Sequence, residues 1–168
     1  KEWFYQWRAC DNDNTCLKIL EEDGNSQHLF NDVLDRLPKV HRDRIVSMRC
    51  QTNSNGRPLD VAAATKSHRA MRNYLHKHCS EIFEIHTVSD NCAKHPGKQC
   101  QHSFKRPNTK QRPLLTLHGS PVCLPWTTFG DRLGEAHPSM ESWNIWAVGS
   151  SCGQYDVVNM EEDKTFPK

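Results

Sequence analysis

The interpretation of the fold depends on the stretch Cys92-Ala-Lys-His95-Pro-Gly-Lys-Gln-Cys100-Gln-His102. This stretch places four cysteine or histidine side chains within eleven residues. The cysteines of such a stretch can form disulfides, or they can bind a metal ion together with the histidines, and the two outcomes imply different cellular compartments. The stretch belongs to a longer segment, about 90–113, that is rich in polar residues and lacks hydrophobic periodicity. We interpret this segment as a long basic loop, held by Cys92 and Cys100 if it is ordered.

The chain contains eight cysteines, an even number dispersed over almost its whole length. No two of them form the Cys-x2-Cys pair in which zinc ligands commonly occur. Dispersed cysteines in even number are typical of a disulfide framework, in which each bridge stabilises the fold by about 2–4 kcal/mol. We therefore expect disulfides, no cofactor, and a secreted or extracellular protein. The predicted disulfide cysteines are Cys10, Cys16, Cys50, Cys79, Cys92, Cys100, Cys123 and Cys152.

Hydrophobic periodicity predicts helices mainly in the first half of the chain. Apolar residues recur at helical spacing from Leu59 to about His78, as one long helix or two short ones. Another helix is predicted from Ser26 to Leu37, ended by Pro38. Alternating or continuous apolar runs predict strands at 44–50, 81–88, 114–118, 143–148 and 155–158.

The composition indicates a thin core, because only 36% of the residues are hydrophobic and the mean hydropathy is −0.80. We predict an α+β fold: a small disulfide-stabilised single domain over residues 1–168, with helices mainly in the first half and short antiparallel strands in the second. The C-terminus is expected to be frayed from about 159. No apolar run approaches the roughly 18 residues of a transmembrane helix, so no membrane span is expected.

Positive charge is concentrated in one part of the chain. Between Asn91 and Gly130 there is no Asp or Glu, although the net charge of the whole chain is only +2. Such a segment could follow a phosphate or sulfate backbone, and a solvated loop that lacks acids is the alternative. The predicted binding residues are Lys94, Lys98, Lys105, Arg106, Lys110 and Arg112. Our leading prediction is a secreted binding or effector domain that engages a protein or a polyanion, either a sulfated glycan or a nucleic acid, through this loop.

His118 is the candidate catalytic residue, since it ends an apolar run beside Gly119. Metal-independent RNA cleavage uses one imidazole as a base and another as an acid. The stretch Leu115-Thr-Leu-His118-Gly119 resembles the first active-site motif of the T2 ribonuclease family, which implies this phosphodiester-cleaving activity. The histidine-containing second motif of that family has no counterpart, because 141–144 is its nearest local similarity and contains no histidine. We do not predict an enzyme, and a secreted ribonuclease is the alternative.

The remaining alternative is an intracellular zinc-containing interaction module. If a metal ion is bound, its ligands are expected among Cys79, Cys92, His95, Cys100 and His102, together with residues distant in sequence. His76, His78 and Cys79 form a second group of possible ligands. The Cys-x-x-His-Pro-Gly piece at 92–97 resembles part of the CHORD zinc domain, which implies zinc binding. The closely spaced cysteines that follow in that family are absent here.

Overall fold

The computed structural model describes residues 8–11, 13–22, 26–83, 88–101, 116–119, 132–153 and 155–160. Five α-helices lie in these ranges: α1 (Asn14–Glu22), α2 (Lys39–Ser47), α3 (Val61–Lys77), α4 (Cys79–Phe83) and α5 (Met140–Cys152). The six short strands are β1 (Arg8–Cys10), β2 (His28–Phe30), β3 (Val88–Ser89), β4 (Cys100–Gln101), β5 (Thr116–Gly119) and β6 (Val157–Met160). None of these helices is long and apolar enough to cross a membrane.

The strands form three separate two-stranded sheets, so mixed α+β content is confirmed while the predicted strand direction is mostly wrong. The β1–β2 and β5–β6 pairs are parallel, and the β3–β4 pair is antiparallel. The physical reason lies in the connections: α1 lies between β1 and β2, and α5 between β5 and β6. A long connection that contains a helix returns the chain in the same direction, whereas a tight turn reverses it.

Helix α3 confirms the predicted long helix and supplies one wall of the main core. Its N-cap is Asp60, whose side chain accepts a 3.0 Å hydrogen bond from the Ala63 amide. Such a cap satisfies one of the amide groups left unpaired at a helix start. The buried side chains are Ala64, His68, Met71 and Leu75, which recur at helical spacing along one face.

Helix α5 corrects the strand predicted at 143–148. Its buried side chains recur every three or four residues, but two of them are polar, Glu141 and Asn144, so the sequence does not show a clean apolar stripe. Both polar groups have partners. Arg49 donates to the Glu141 carboxylate at 2.7 and 2.8 Å, and Asn144 donates to the His68 carbonyl at 3.1 Å.

Three other element predictions are wrong in whole or in part. The apolar run after Ser26 forms β2 and then a 3₁₀ turn, Val33–Arg36, instead of one helix, because all three β2 residues are buried beside β1. The strand predicted at 44–50 is largely α2, which begins after Pro38 with amides bonding to its carbonyl. The strand predicted at 81–88 is divided between α4 and β3, with 84–87 outside the described residues.

The described core consists of two clusters. The main cluster joins the 3₁₀ turn to α2, α3, α4 and α5, and it contains Leu34, Leu37, Ile45, Met71, Leu75, Ile82, Ile145 and Val148. The second cluster is much smaller: Phe30, Cys92 and Cys100 are buried together, and Cys10 packs against them. Two of the three buried residues of the second cluster are therefore cysteines.

The disulfides expected from the sequence are not present among the described residues. Seven cysteines there are free: Cys10, Cys16, Cys50, Cys79, Cys92, Cys100 and Cys152. Cys123 lies outside the described part of the chain. The thin core therefore has no covalent cross-link in the part that the structure describes, and the question is what stabilises the small second cluster.

The main core predicts a large cost for truncating a buried leucine of α3. Leu75 has 0% of its surface exposed, whereas Leu59, just before α3, is 65% exposed. Leu75→Ala should lower the free energy of unfolding by about 2–5 kcal/mol, since it leaves a cavity. Leu59→Ala is the matched control and should change it by less than about 0.5 kcal/mol. Urea denaturation measures both, and equal effects would contradict the assignment of the core.

Candidate metal centre

Four cysteine and histidine side chains converge where β2 meets the loop between β3 and β4. His28 comes from β2, Cys92 and His95 from the loop, and Cys100 from the first position of β4. The β3–β4 register pairs Ser89 with Cys100, so the two ends of the loop lie side by side. One potential ligand atom from each of these four residues lies within 4.8 Å of the other three.

The loop is a sequence of tight turns that aims its ligands inward. The His95 amide donates to the Cys92 carbonyl at 3.1 Å, and the Lys98 amide donates to the His95 carbonyl at 3.1 Å. Gly97 has a φ of +72°, in the left-handed region that favours glycine. The loop therefore reverses within a few residues and returns to Cys100.

Hydrogen bonds attach this loop to the strand that carries His28. The Ala93 amide donates to the Leu29 carbonyl at 2.8 Å, and the Lys94 ammonium donates to the Ser26 carbonyl at 2.7 Å. These contacts bridge more than sixty residues of sequence between β2 and the loop. The pairing of β2 with the loop is thus built by backbone and side-chain contacts around the four converging residues.

The base of the loop is also anchored to the rest of the fold. Arg42 of α2 pairs with Asp90 at 3.1 Å. The Asn91 amide group donates to the Asp35 carboxylate at 2.8 Å, and the Ser89 hydroxyl donates to the Asp35 carbonyl. The loop is therefore supported from outside the cluster as well as from within it.

The distances match those between ligands of one tetrahedral ion. The Nδ1 atom of His28 lies 3.7 Å from the Cys92 sulfur, and the Nδ1 atom of His95 lies 3.4 Å from the same sulfur. The Cys100 sulfur lies 3.3 Å from Nδ1 of His95. Zinc bonds of about 2.3 Å to sulfur and about 2.0–2.1 Å to nitrogen place a tetrahedral S···N pair about 3.5 Å apart. One ion would satisfy all three contacts at once.

Burial and charge also suit a divalent ion. Cys92 and Cys100 are 2% and 5% exposed, and His28 is 9% exposed. The pKa of the Cys100 thiol is raised to about 11. Burial is the main cause, and the neighbouring Cys92 is the second. A bound divalent cation acts in the opposite direction and stabilises thiolates. Two thiolates and two neutral imidazoles would balance the charge of one divalent ion, so the complex could be buried without a counter-ion.

Cys10 lies beside the cluster without belonging to its ligand set. Its side chain packs against the same small core, but its sulfur is not among the converging atoms. Burial raises the pKa of the Cys10 thiol to about 12. Cys10 is thus a packing residue that can serve as a control for the cysteines that converge.

The structure brings together three of the five metal ligands considered in the sequence: Cys92, His95 and Cys100. Cys79 is not with them, because it starts α4 and packs against the main core near Cys152. His102 lies outside the described residues. His28 was missed by sequence reasoning, since nothing in its local pattern indicates that β2 adjoins the loop.

The predicted basic-loop residues are described only in part. Lys94 is occupied by its bond to the Ser26 carbonyl, whereas Lys98 is exposed at the turn. Lys105, Arg106, Lys110 and Arg112 lie outside the described residues.

The backbone of His118 lies in β5, opposite Asn159 of β6. The binding and catalytic roles suggested for these residues stay predictions.

Comparison with known proteins found no matching family model, no matching curated protein and no matching solved structure. The assignment of the site therefore depends on its geometry and donor chemistry.

The left-handed turn at Gly97 yields a test of the loop. Gly97→Ala places a side chain in a conformation that costs about 1–2 kcal/mol, equivalent to a factor of about 5–30. We expect zinc affinity to fall by this factor, as measured by competition with a chromophoric chelator. Gly56→Ala is the matched control, because Gly56 has a φ of +74° in a turn away from the cluster and, like Gly97, has no atom within 4 Å of an added Cβ. Equal zinc affinities for the two variants would contradict this account.

Proposed function

We propose that the protein is a zinc-containing interaction module, in which one zinc ion bound by His28, Cys92, His95 and Cys100 stabilises the fold. The observation that carries the proposal is the convergence of these four donor atoms within 4.8 Å of one another. Two sulfurs and two imidazole nitrogens are a donor set typical of zinc, which binds four such ligands tetrahedrally.

A structural role suits this site better than a catalytic one. Catalytic zinc sites keep one position open for water or substrate, whereas structural sites use four protein ligands. Here the chain offers four ligands, and three of them are buried. An ion held in this way would act as a cross-link between β2 and the β3–β4 loop, and would contribute the stability that the small second core lacks.

The proposed interaction role is based on the segment 91–130, which begins within the metal-binding loop and continues beyond it. The segment 91–130 contains no acidic residue, and its predicted binding residues begin inside the ligand loop with Lys94 and Lys98. A zinc ion at Cys92 and Cys100 would fix the base of this segment. We propose that the segment binds a polyanion through its phosphate or sulfate groups.

This proposal favours the intracellular alternative over secretion. Zinc coordination requires reduced cysteines, and compartments that keep thiols reduced disfavour disulfides. The free state of the seven described cysteines supports this choice. Secretion and ribonuclease activity stay predictions that no contact among the described residues supports.

Zinc removal should destabilise the protein. At free zinc of about 100 times Kd, binding contributes about 2.7 kcal/mol, which corresponds to about 5–10 °C in Tm for a chain of this size. Differential scanning calorimetry with and without a strong chelator, under reducing conditions, measures this shift. Equal Tm values for the zinc-loaded and chelator-treated proteins would refute a structural ion.

The matched variants are Cys100→Ala and Cys10→Ala, since both remove a thiol from the same small core. Cys100→Ala should abolish tight zinc binding, because it removes a ligand. Cys10→Ala should keep one zinc ion per chain, even if it lowers stability by packing. Loss of the ion from both variants would point to general unfolding, and retention by both would exclude the proposed ligand set.

Polyanion binding is tested by charge neutralisation. Replacing Lys105, Arg106 and Lys110 by Gln should shift elution from heparin to lower salt, and should lower affinity for single-stranded RNA if nucleic acid is the ligand. A matched control replaces Lys18, Lys66 and Lys77, which are exposed on α1 and α3, and so removes the same charge elsewhere. If both triple variants elute from heparin at the same salt concentration, heparin binding depends on net charge alone and the proposed binding segment is wrong.

A further inference from the structure

A second group of potential ligands lies where α2 meets the corner between α3 and α4. His41 comes from α2, His78 from the corner residue, and Glu81 from α4. One ligand atom from each lies within 4.8 Å of the other two. His41 is buried, and the side chains of His78 and Glu81 are 26% and 62% exposed. The group therefore opens to solvent on the Glu81 side.

The contact distances are long for charge-assisted hydrogen bonds. Oε2 of Glu81 lies 3.4 Å from Nε2 of His41 and 3.2 Å from Nδ1 of His78. Charge-assisted hydrogen bonds between a cationic N–H group and a carboxylate are usually about 2.7–2.9 Å. Ligands bound at about 2.0–2.2 Å to one tetrahedral ion are about 3.3–3.6 Å apart, which is close to the observed separations.

Tyr74 supplies the outer contact that such a site needs. Its hydroxyl lies 2.9 Å from Nδ1 of His41, the ring nitrogen that faces away from Glu81. If the Tyr74 oxygen accepts a hydrogen bond from this Nδ1–H group, the lone pair of Nε2 is directed toward Glu81 and His78. Metal-binding histidines usually donate their other ring N–H to such a partner, which fixes the tautomer and the ring orientation.

We propose that His41, His78 and Glu81 form a second metal site, which binds a divalent transition-metal ion such as Zn²⁺ reversibly. The donor set of two imidazoles and one carboxylate leaves at least one position for water or an exogenous ligand. With three ligands, one of them well exposed, this site binds zinc more weakly than the buried Cys92–Cys100 site. A bound ion adds a cross-link between α2 and the α3–α4 corner, which already pack together in the main core.

The test uses untagged full-length protein and Zn²⁺ as the probe. Isothermal titration of protein already loaded with one zinc ion should show one further, weaker binding event. His78→Ala should remove this event, and Glu81→Gln, which keeps the side-chain shape, should weaken it at least tenfold. His76→Ala is the matched control, because His76 is exposed two residues before His78 and lies outside the group. It should leave the second event unchanged.

Tyr74→Phe tests the outer contact without removing the ring that packs near His78. Loss of such a partner typically costs about 10–100-fold in metal affinity, and we expect at least a tenfold loss here. A wild-type chain that binds no second ion would overturn the proposal. So would a second ion whose affinity is the same in wild type, His78→Ala and Glu81→Gln, since it would lie elsewhere.

The proposals of the first and the second metal site can be tested independently of each other. Co²⁺ distinguishes them, because the Cys92–Cys100 site contains thiolates and the group of His41, His78 and Glu81 contains none. Cys100→Ala should weaken or remove the thiolate-to-cobalt absorption and keep the weaker nitrogen and oxygen site. His78→Ala should do the reverse. If Cys100→Ala abolishes both events in protein that circular dichroism shows to be folded, the two sites are not separate and this inference is wrong.

Discussion

The contact between β2 and the β3–β4 loop is the constraint on which the rest of this account depends. His28 and Cys92 are 64 residues apart, yet their side chains lie within 3.7 Å of each other. Bringing such distant segments together has an entropic cost that a few backbone hydrogen bonds offset only in part. The proposed metal ion would bind donors from both segments and would supply a favourable term at this point, because binding to the folded arrangement is coupled to folding.

The two cores of the protein differ in what stabilises them. The main core packs aliphatic side chains from the 3₁₀ turn and four helices, which is ordinary hydrophobic burial. Among the described residues, the buried members of the second core are Phe30 and two cysteines. A cluster of this size buries little apolar surface, so hydrophobic burial contributes little to its stability. The sequence predicted that a thin core needs added support from disulfides. The seven described cysteines are free, and we propose a metal ion in that role instead.

The sequence predicted those features that depend on local chemistry. The α3 helix was predictable, because its apolar residues recur at helical spacing. Cys92, His95 and Cys100 were identified as possible ligands, since their spacing is local. The fourth member of this cluster, His28, was not predictable, because its place there depends on a contact made across 64 residues. Similarly, α5 was read as a strand, since Glu141 and Asn144 interrupt its apolar pattern and their partners, Arg49 and His68, are distant in sequence.

The mass of the intact native protein tests the central claim most directly. Protein purified under reducing conditions without added metal should carry one tightly bound zinc ion. Its mass should exceed that of the fully reduced chain by one zinc less two protons, because Cys92 and Cys100 bind as thiolates. This excess should disappear in Cys100→Ala and persist in Cys10→Ala. A metal-free mass that is lower than the reduced chain by two hydrogens per cysteine pair would contradict the account and restore the disulfide framework.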